Sequence, residues 1–104
     1  MVNNNAECIR YIRGHLSDGE QLAGLAEESA ELAKAALKLR RCIDGSNPTP
    51  VTEREAVDNL LEEVADVLLC LKVLGFPVDP DCYSVNMDSK LERWVERLKE
   101  KYGE

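Results

Sequence analysis

The sequence predicts an all-α protein, a helical bundle of four to five helices with two long antiparallel helices at its centre. Good helix formers (Leu, Ala, Glu, Lys and Arg) dominate the 104 residues, which include only six glycines and four prolines. No segment has the alternation of apolar and polar residues that is typical of a strand. Capping and stop signals delimit two long segments with apolar residues at helical spacing. We expect one domain spanning residues 1–104.

The first long helix follows a short N-terminal helix. Apolar residues at helical spacing predict the short helix from about Glu7 to Leu16. Ser17 and Glu20 match a capping box, in which each of two residues bonds the backbone N–H of the other. The helix that they open is predicted to end near Gly45, because glycine readily adopts the left-handed conformation of a C-cap.

The second long helix is bounded in the same way. Residues 44–50 have the Asn, Gly and Pro content of a loop, and Thr52–Glu55 matches a second capping box. This helix is predicted to end at Gly75. Asp79–Pro80 then predicts a return to helix, as a cap followed by a first-turn proline. Two possibilities stay open for the remainder: one unbroken helix, or a fresh helix capped by Ser89.

Composition excludes several classes of function. A net charge of −7 and a pI near 4.7 disfavour general nucleic-acid binding, which requires clustered cations. No segment approaches the ~20 apolar residues of a membrane span, so we expect no membrane partner. The first seven residues lack the basic and then apolar order of a signal peptide, which favours a cytoplasmic protein.

The cysteines and the single histidine argue against two kinds of metal site. The four cysteines form no CxxC pair, so a zinc site is not expected, and we interpret them as reduced, partly buried thiols. A di-iron carboxylate bundle requires Glu-x-x-His repeats, whereas His15 lies outside both acidic motifs. The cysteines are Cys8, Cys42, Cys70 and Cys82.

The two long helices each carry a pair of carboxylates beside an apolar stripe. Glu28 and Glu31 lie on the first helix, and Glu63 and Asp66 occupy equivalent positions 35 residues later. At ~100° per residue, three apolar residues flank Glu28 and three flank Glu63 within about 60°. They are Leu25, Leu32 and Leu39 in the first helix and Leu60, Val67 and Leu74 in the second.

Convergence of these four carboxylates is unfavourable unless a cation neutralises them. Each close pair costs roughly 1 kcal/mol in water and about 4 kcal/mol in a partly shielded site. One acidic motif on a helix is ordinarily a solvated face, but two copies set against apolar stripes favour a metal site. Hard oxygen ligands suit Mg²⁺, with Mn²⁺ as a second possibility. Glu28, Glu31, Glu63 and Asp66 are therefore the candidate metal ligands and catalytic residues.

The residues beside the carboxylates have more than one interpretation. Glu27 and Glu62 fit occasional ligands, partners of the ligands, or surface residues equally well. Lys34 is best explained by a surface salt bridge, whereas Lys38 is compatible with either a surface position or a phosphate contact. Asn59, on the flank of Asp66, is a further candidate substrate-binding residue.

The acidic motifs resemble those of a known family. Residues 27–31 read EESAE and residues 63–66 read EVAD, and apolar residues frame both. This pattern resembles that of the MazG-like nucleoside triphosphate pyrophosphohydrolases of the all-α NTP pyrophosphatase superfamily. The resemblance covers roughly Leu16 to Leu98. It implies the MazG-like fold, Mg²⁺ binding by the four carboxylates, and phosphate contacts from Lys90 with Arg93 behind it. A surface position for Lys90 stays open.

The resemblance also implies the reaction and the assembly. A nucleoside triphosphate would be hydrolysed between its α and β phosphates to the monophosphate and pyrophosphate. The site would be completed in a homodimer or homotetramer, which agrees with the difficulty of enclosing a nucleotide in one small bundle. Leu68, Leu69 and Leu71 provide more apolar surface than one partner helix would cover. The alternatives are a phosphoribosyl-ATP pyrophosphohydrolase-like activity and a non-catalytic helical nucleotide-binding or interaction module.

Preference for a base is not readable from the sequence. Trp94 and Tyr83 could stack on a base. Trp94 shares a helical face with Leu91, Val95 and Leu98, however, so core packing is favoured for it. The long loop through Pro48 also leaves the mouth of the site undefined.

Overall fold

A computed structural model describes residues 5–46 and 50–104. The chain is helical, and its described part contains no β-strand. The predicted loop through Pro48 includes residues 47–49, which lie outside the described residues. The helices are α1 (Asn5–His15), α2 (Asp18–Asp44), α3 (Glu53–Leu74) and α4 (Ser84–Tyr102), and a 3₁₀ turn (Pro80–Tyr83) precedes α4.

Both predicted ends of α2 are confirmed. The Ser17 hydroxyl accepts a hydrogen bond from the Glu20 N–H at 3.1 Å, and the Glu20 carboxylate accepts one from the Ser17 N–H at 3.2 Å. At the other end, Gly45 adopts a left-handed conformation (φ 66°) and its N–H donates to the Arg41 carbonyl. A residue with a Cβ would be strained there, which is why the helix ends at this glycine.

The predicted bounds of α3 are also confirmed, and the structure decides between the two possibilities for α4. Thr52 caps α3 through its hydroxyl, and Gly75 (φ 91°) ends it. Asp79 caps the 3₁₀ turn by accepting a hydrogen bond from the Asp81 N–H at 3.0 Å. Because this turn leads directly into α4, the helix passes through Ser89 without a break, and a fresh cap at Ser89 is wrong.

The helices α2 and α3 form an antiparallel hairpin. Near the connecting loop, the Cys42 thiol lies 3.7 Å from the Val51 carbonyl oxygen. Farther along, Glu28 of α2 lies beside Glu63 and Asp66 of α3. Residue numbers rise on one helix as they fall on the other, so the equivalent acidic motifs face each other across one seam.

The seam is packed by small and half-buried side chains. Ala35 of α2 and Ala56 of α3 are almost fully buried, which lets the two helices approach closely toward the loop end. The six apolar residues predicted to frame the carboxylates are all half-buried along the seam. Among the described residues, the only other fully buried side chains are Val73 and Gln21, near the opposite end.

Arg13 fastens α1 to the C-terminal end of α3. Its Nε donates to the Val73 carbonyl at 2.5 Å, and its Nη2 donates to the Lys72 carbonyl at 2.9 Å. These carbonyls belong to the last turn of α3, where backbone acceptors lack helical partners and a cation is favoured.

We expect Arg13→Ala to lower the free energy of unfolding by about 1–2 kcal/mol, because two charge-assisted hydrogen bonds are lost at a partly exposed position. Urea unfolding followed by circular dichroism would measure the change. Arg10→Ala is the matched control, since it removes the same charge from the same helix without removing a bond to α3. Equal destabilisation by both substitutions would contradict this role of Arg13.

The helix α4 stands apart from the other three. Every residue of α4 is exposed, including Trp94 at 62%, and the extensive contacts of α4 within the described residues are with the 3₁₀ turn. The core packing expected for Trp94 is therefore wrong within one chain. The bundle is formed by α1, α2 and α3 only, because nothing in the chain returns α4 to the hairpin.

The chain is correspondingly extended. Its radius of gyration is 17.9 Å, against about 13 Å for a compact domain of this length. Its accessible surface is 8346 Å², whereas a compact monomer of 11.6 kDa would expose about 5,800 Å². No helix in the described part of the chain is long and apolar enough to cross a membrane.

Candidate metal centre

Three carboxylates converge at the middle of the α2–α3 seam. One oxygen from each of Glu28, Glu63 and Asp66 lies within 4.8 Å of the other two. Glu28 projects from α2, while Glu63 and Asp66 project from adjacent turns of α3. The antiparallel pairing of the two acidic motifs thus produces a cluster that neither helix could form alone.

Glu63 is the least solvated member of this carboxylate triad. Its Oε2 atom is buried and, among the described residues, accepts no hydrogen bond. Loss of hydration raises the pKa of Glu63 above its ordinary value, and the negative charges of Asp66 and Glu28 raise it further. A buried oxygen without a donor is costly unless a cation or a proton lies against it.

Glu31, the fourth predicted ligand, lies outside the triad. Its carboxylate is half exposed and accepts a hydrogen bond from the Lys34 ammonium at 3.3 Å. It is close enough to Glu63 for its charge to raise the pKa of Glu63. The ion pair confirms the surface salt bridge expected for Lys34. Metal ligation by Glu31 stays a prediction.

The chemistry of the triad fits a hard divalent cation. All three donors are carboxylate oxygens, the ligand type taken by Mg²⁺ and Mn²⁺. A cation would give the Glu63 Oε2 atom the electrostatic partner that it lacks, and would relieve repulsion among three neighbouring negative charges. Glu28, Glu63 and Asp66 are the residues that would hold it.

The predicted substrate-binding residues are divided between two parts of the chain. Lys38 on α2 and Asn59 on α3 are half-buried on the hairpin. Lys90 and Arg93 lie on α4, where they line a shallow groove of about 320 Å³ with Trp94 and Arg97. Among the described residues, no hydrogen bond or ion pair joins any of the four to the triad. Their roles stay predictions.

Sequence reasoning assigned no role to the residues on one side of the triad. Cys70 lies one turn beyond Asp66, and burial raises the pKa of its thiol, with further contributions from Glu28 and Asp66. Cys70 also lines an apolar groove that includes Gly24 of α2. The available signal was the small size of Gly24 and Cys70 on the flanks of their acidic motifs. Of the four cysteines, Cys42 and Cys70 are half-buried as expected, whereas Cys8 and Cys82 are exposed.

The raised pKa of Glu63 predicts a pH dependence of stability in the presence of a chelator. The folded state holds the proton of Glu63 more tightly than the unfolded state, so this contribution to stability is complete below the ordinary carboxyl pKa of 4.5. It is lost as pH rises through the raised pKa.

We therefore expect Glu63→Gln to increase the melting temperature in EDTA at pH 7 and to have no such effect near pH 4. Differential scanning fluorimetry of both proteins across this range would measure the difference. A Glu63→Gln protein that is less stable than wild type in EDTA at pH 7 would contradict the unfavourable environment of Glu63.

Comparison with known proteins gave no match: the chain matches no protein-family model, no curated protein and no solved structure.

Proposed function

We propose that this chain is a Mg²⁺-dependent nucleoside triphosphate pyrophosphohydrolase of the MazG-like type, which converts a nucleotide to its monophosphate and pyrophosphate. The observation that carries the proposal is the buried Glu63 Oε2 atom without a partner, inside a triad of carboxylates from two helices. An acidic protein can bind a triphosphate at such a place only if a cation separates the two sets of negative charges.

The residues would divide the work as follows. Glu28, Glu63 and Asp66 would hold the cation, which supplies positive charge to the phosphate oxygens and acidifies a water molecule. Glu31 lies beside the triad and is bonded only to an exposed lysine, so its carboxylate is suited to accept a proton from the attacking water. Lys38 would contact the phosphates from the same helix.

A second copy of the chain would supply what one chain lacks. The surface in excess of a compact monomer is about 2,500 Å², the size of a stable subunit interface. Its apolar part includes Leu68 and Leu69 on α3 and the face of α4 that carries Trp94 and Leu98. Docking α4 on the hairpin of a partner would cover both faces. It would also bring Lys90 and Arg93 toward a carboxylate triad, which supports a homodimer or a larger homo-oligomer.

Two measurements on the wild-type protein test the proposal. Pyrophosphate release would be assayed with Mg²⁺ and each standard or modified triphosphate, with phosphoribosyl-ATP in the same panel. Thermal melting would be compared with and without Mg²⁺. At a hundredfold excess of Mg²⁺ over its dissociation constant, we expect stabilisation by about 2.7 kcal/mol. Absence of both pyrophosphate release and metal-dependent stabilisation would leave the non-catalytic interaction module as the better explanation.

A further inference from the structure

An apolar groove lies one helical turn from the carboxylate triad. It has a volume of about 170 Å³ and is formed where α1 meets the α2–α3 hairpin. Gly24 lies one turn before Glu28 on α2, and Cys70 lies one turn after Asp66 on α3, so the groove begins about 6 Å along the helix axes from the triad. Its lining residues are Ile12, Leu16, Glu20, Gln21, Gly24, Leu69, Cys70 and Val73.

Gly24 forms part of the groove floor although the packing of the chain does not require glycine there. It lies in the interior of α2, where glycine is less favourable than alanine. A Cβ built on Gly24 would meet no atom within 4 Å. The missing side chain therefore leaves open space beside the helix backbone, as expected where a ligand approaches closely.

The polar groups at the groove are already paired, so its walls are almost wholly apolar. The Gln21 side chain donates to the Leu16 carbonyl at 3.0 Å, and the Glu20 carboxylate accepts from the Ser17 N–H in the capping box. A ligand is therefore held through contact with its faces and through its size, rather than through hydrogen bonds to its edge.

The volume limits the occupant to a small ring. Pockets for drug-sized ligands measure ≈ 300–1,000 Å³, and 170 Å³ corresponds to the share of liquid volume of about six water molecules. A single ring fits this space better than two fused rings. The distance of about one helical turn to the triad is the kind of gap that a sugar bridges between a base and its phosphates.

From these observations we infer that the groove between α1, α2 and α3 binds the base of the substrate and selects pyrimidine nucleotides over purine nucleotides. This inference rests on the proposed function, because it takes the carboxylate triad as the place of the phosphates. Since contact is with the ring faces, the groove discriminates weakly among cytosine, uracil and thymine.

Substitution of Gly24 tests the inference directly. Wild-type protein would be assayed with the five deoxynucleoside triphosphates of cytosine, uracil, thymine, adenine and guanine. We expect kcat/KM for the pyrimidine nucleotides to exceed that for the purine nucleotides by at least about tenfold. Gly24→Leu fills the groove, so it should remove this preference through a rise of at least about tenfold in KM for the pyrimidine nucleotides.

Stability separates this effect from damage to the fold. Gly24→Ala should raise the melting temperature by about 4 °C, because alanine favours the helix, while it still raises KM for the pyrimidine nucleotides. Gly14→Ala is the matched control: Gly14 also lies in a helix, and its added Cβ would also meet no atom within 4 Å, but it does not line the groove. It should leave the pyrimidine-to-purine ratio unchanged.

The outcomes that overturn the inference are distinct from failure of the proposed function. An active wild-type enzyme without pyrimidine preference, or one whose preference survives Gly24→Leu, overturns the inference alone. A change in oligomeric state on Gly24→Leu, with the preference intact, would assign the groove to a side chain of a second copy. Wild-type protein that hydrolyses no triphosphate overturns the proposed function and the inference with it.

Discussion

Glu63→Gln is expected to lower kcat/KM for triphosphate hydrolysis by at least a hundredfold, more than the ~10–100-fold that loss of a partner of a metal ligand costs. The substitution keeps the size of the side chain and removes the negative charge of the triad member whose Oε2 atom lacks a partner. Glutamine is a much weaker ligand for a divalent cation. The stabilisation of wild-type protein by Mg²⁺ should fall with the activity.

Asp58→Asn is the matched control for this substitution. Asp58 is an exposed residue of the same helix, and it is not a member of the triad. The change in charge is identical, so a general effect of net charge on phosphate binding would appear in both proteins. Steady-state pyrophosphate assays and melting curves with and without Mg²⁺ provide the readouts. Wild-type activity in Glu63→Gln would exclude the triad as the catalytic centre.

The second large effect is expected from Leu98→Lys, which places a charge on the apolar face of α4. Leu98 is 44% exposed in the single chain, and we propose that a second copy covers it. In a two-fold symmetric dimer the substitution occurs twice. At about 2 kcal/mol for each central contact, the dissociation constant should rise roughly a thousandfold. Activity at micromolar protein should be lost as well, if α4 supplies Lys90 and Arg93 to the partner's site.

Sedimentation velocity and activity on the same samples would measure both effects. Ser89→Lys is the control, because Ser89 lies roughly 170° around α4 from the middle of the apolar face and also becomes lysine. It should remain associated and active. A wild-type chain that sediments as an 11.6 kDa monomer at all concentrations would contradict the proposed assembly.

The success of sequence reasoning followed the range of the interactions involved. The ends of α2 and α3 depend on residues three or four positions apart, such as Ser17 with Glu20, so local patterns predicted them. The meeting of Glu28 with Glu63 and Asp66 followed from the periodicity of two adjacent antiparallel helices. In contrast, whether Ser89 caps a new helix depends on how the chain enters α4 through the preceding 3₁₀ turn.

Tertiary packing explains the remaining differences. Trp94 lies on an amphipathic face, and such a pattern shows that a helix needs a partner without showing whether the same chain provides it. The pairing of Glu31 with Lys34 rather than with the triad depends on the rotation of α2 in the hairpin. The groove beside Gly24 depends on how α1 meets the hairpin, which no periodicity within one helix encodes.

The small number of buried side chains has a consequence for how the protein folds. Ala35, Ala56 and Val73 are the only fully buried apolar residues among those described, and most contacts join α2 to the neighbouring α3. Local contacts of this kind form within microseconds to milliseconds, so the hairpin should collapse rapidly. The greater part of the apolar burial would then come from a slower bimolecular step. Mass action would make the melting temperature rise with protein concentration, and dilution alone would favour the unfolded chain.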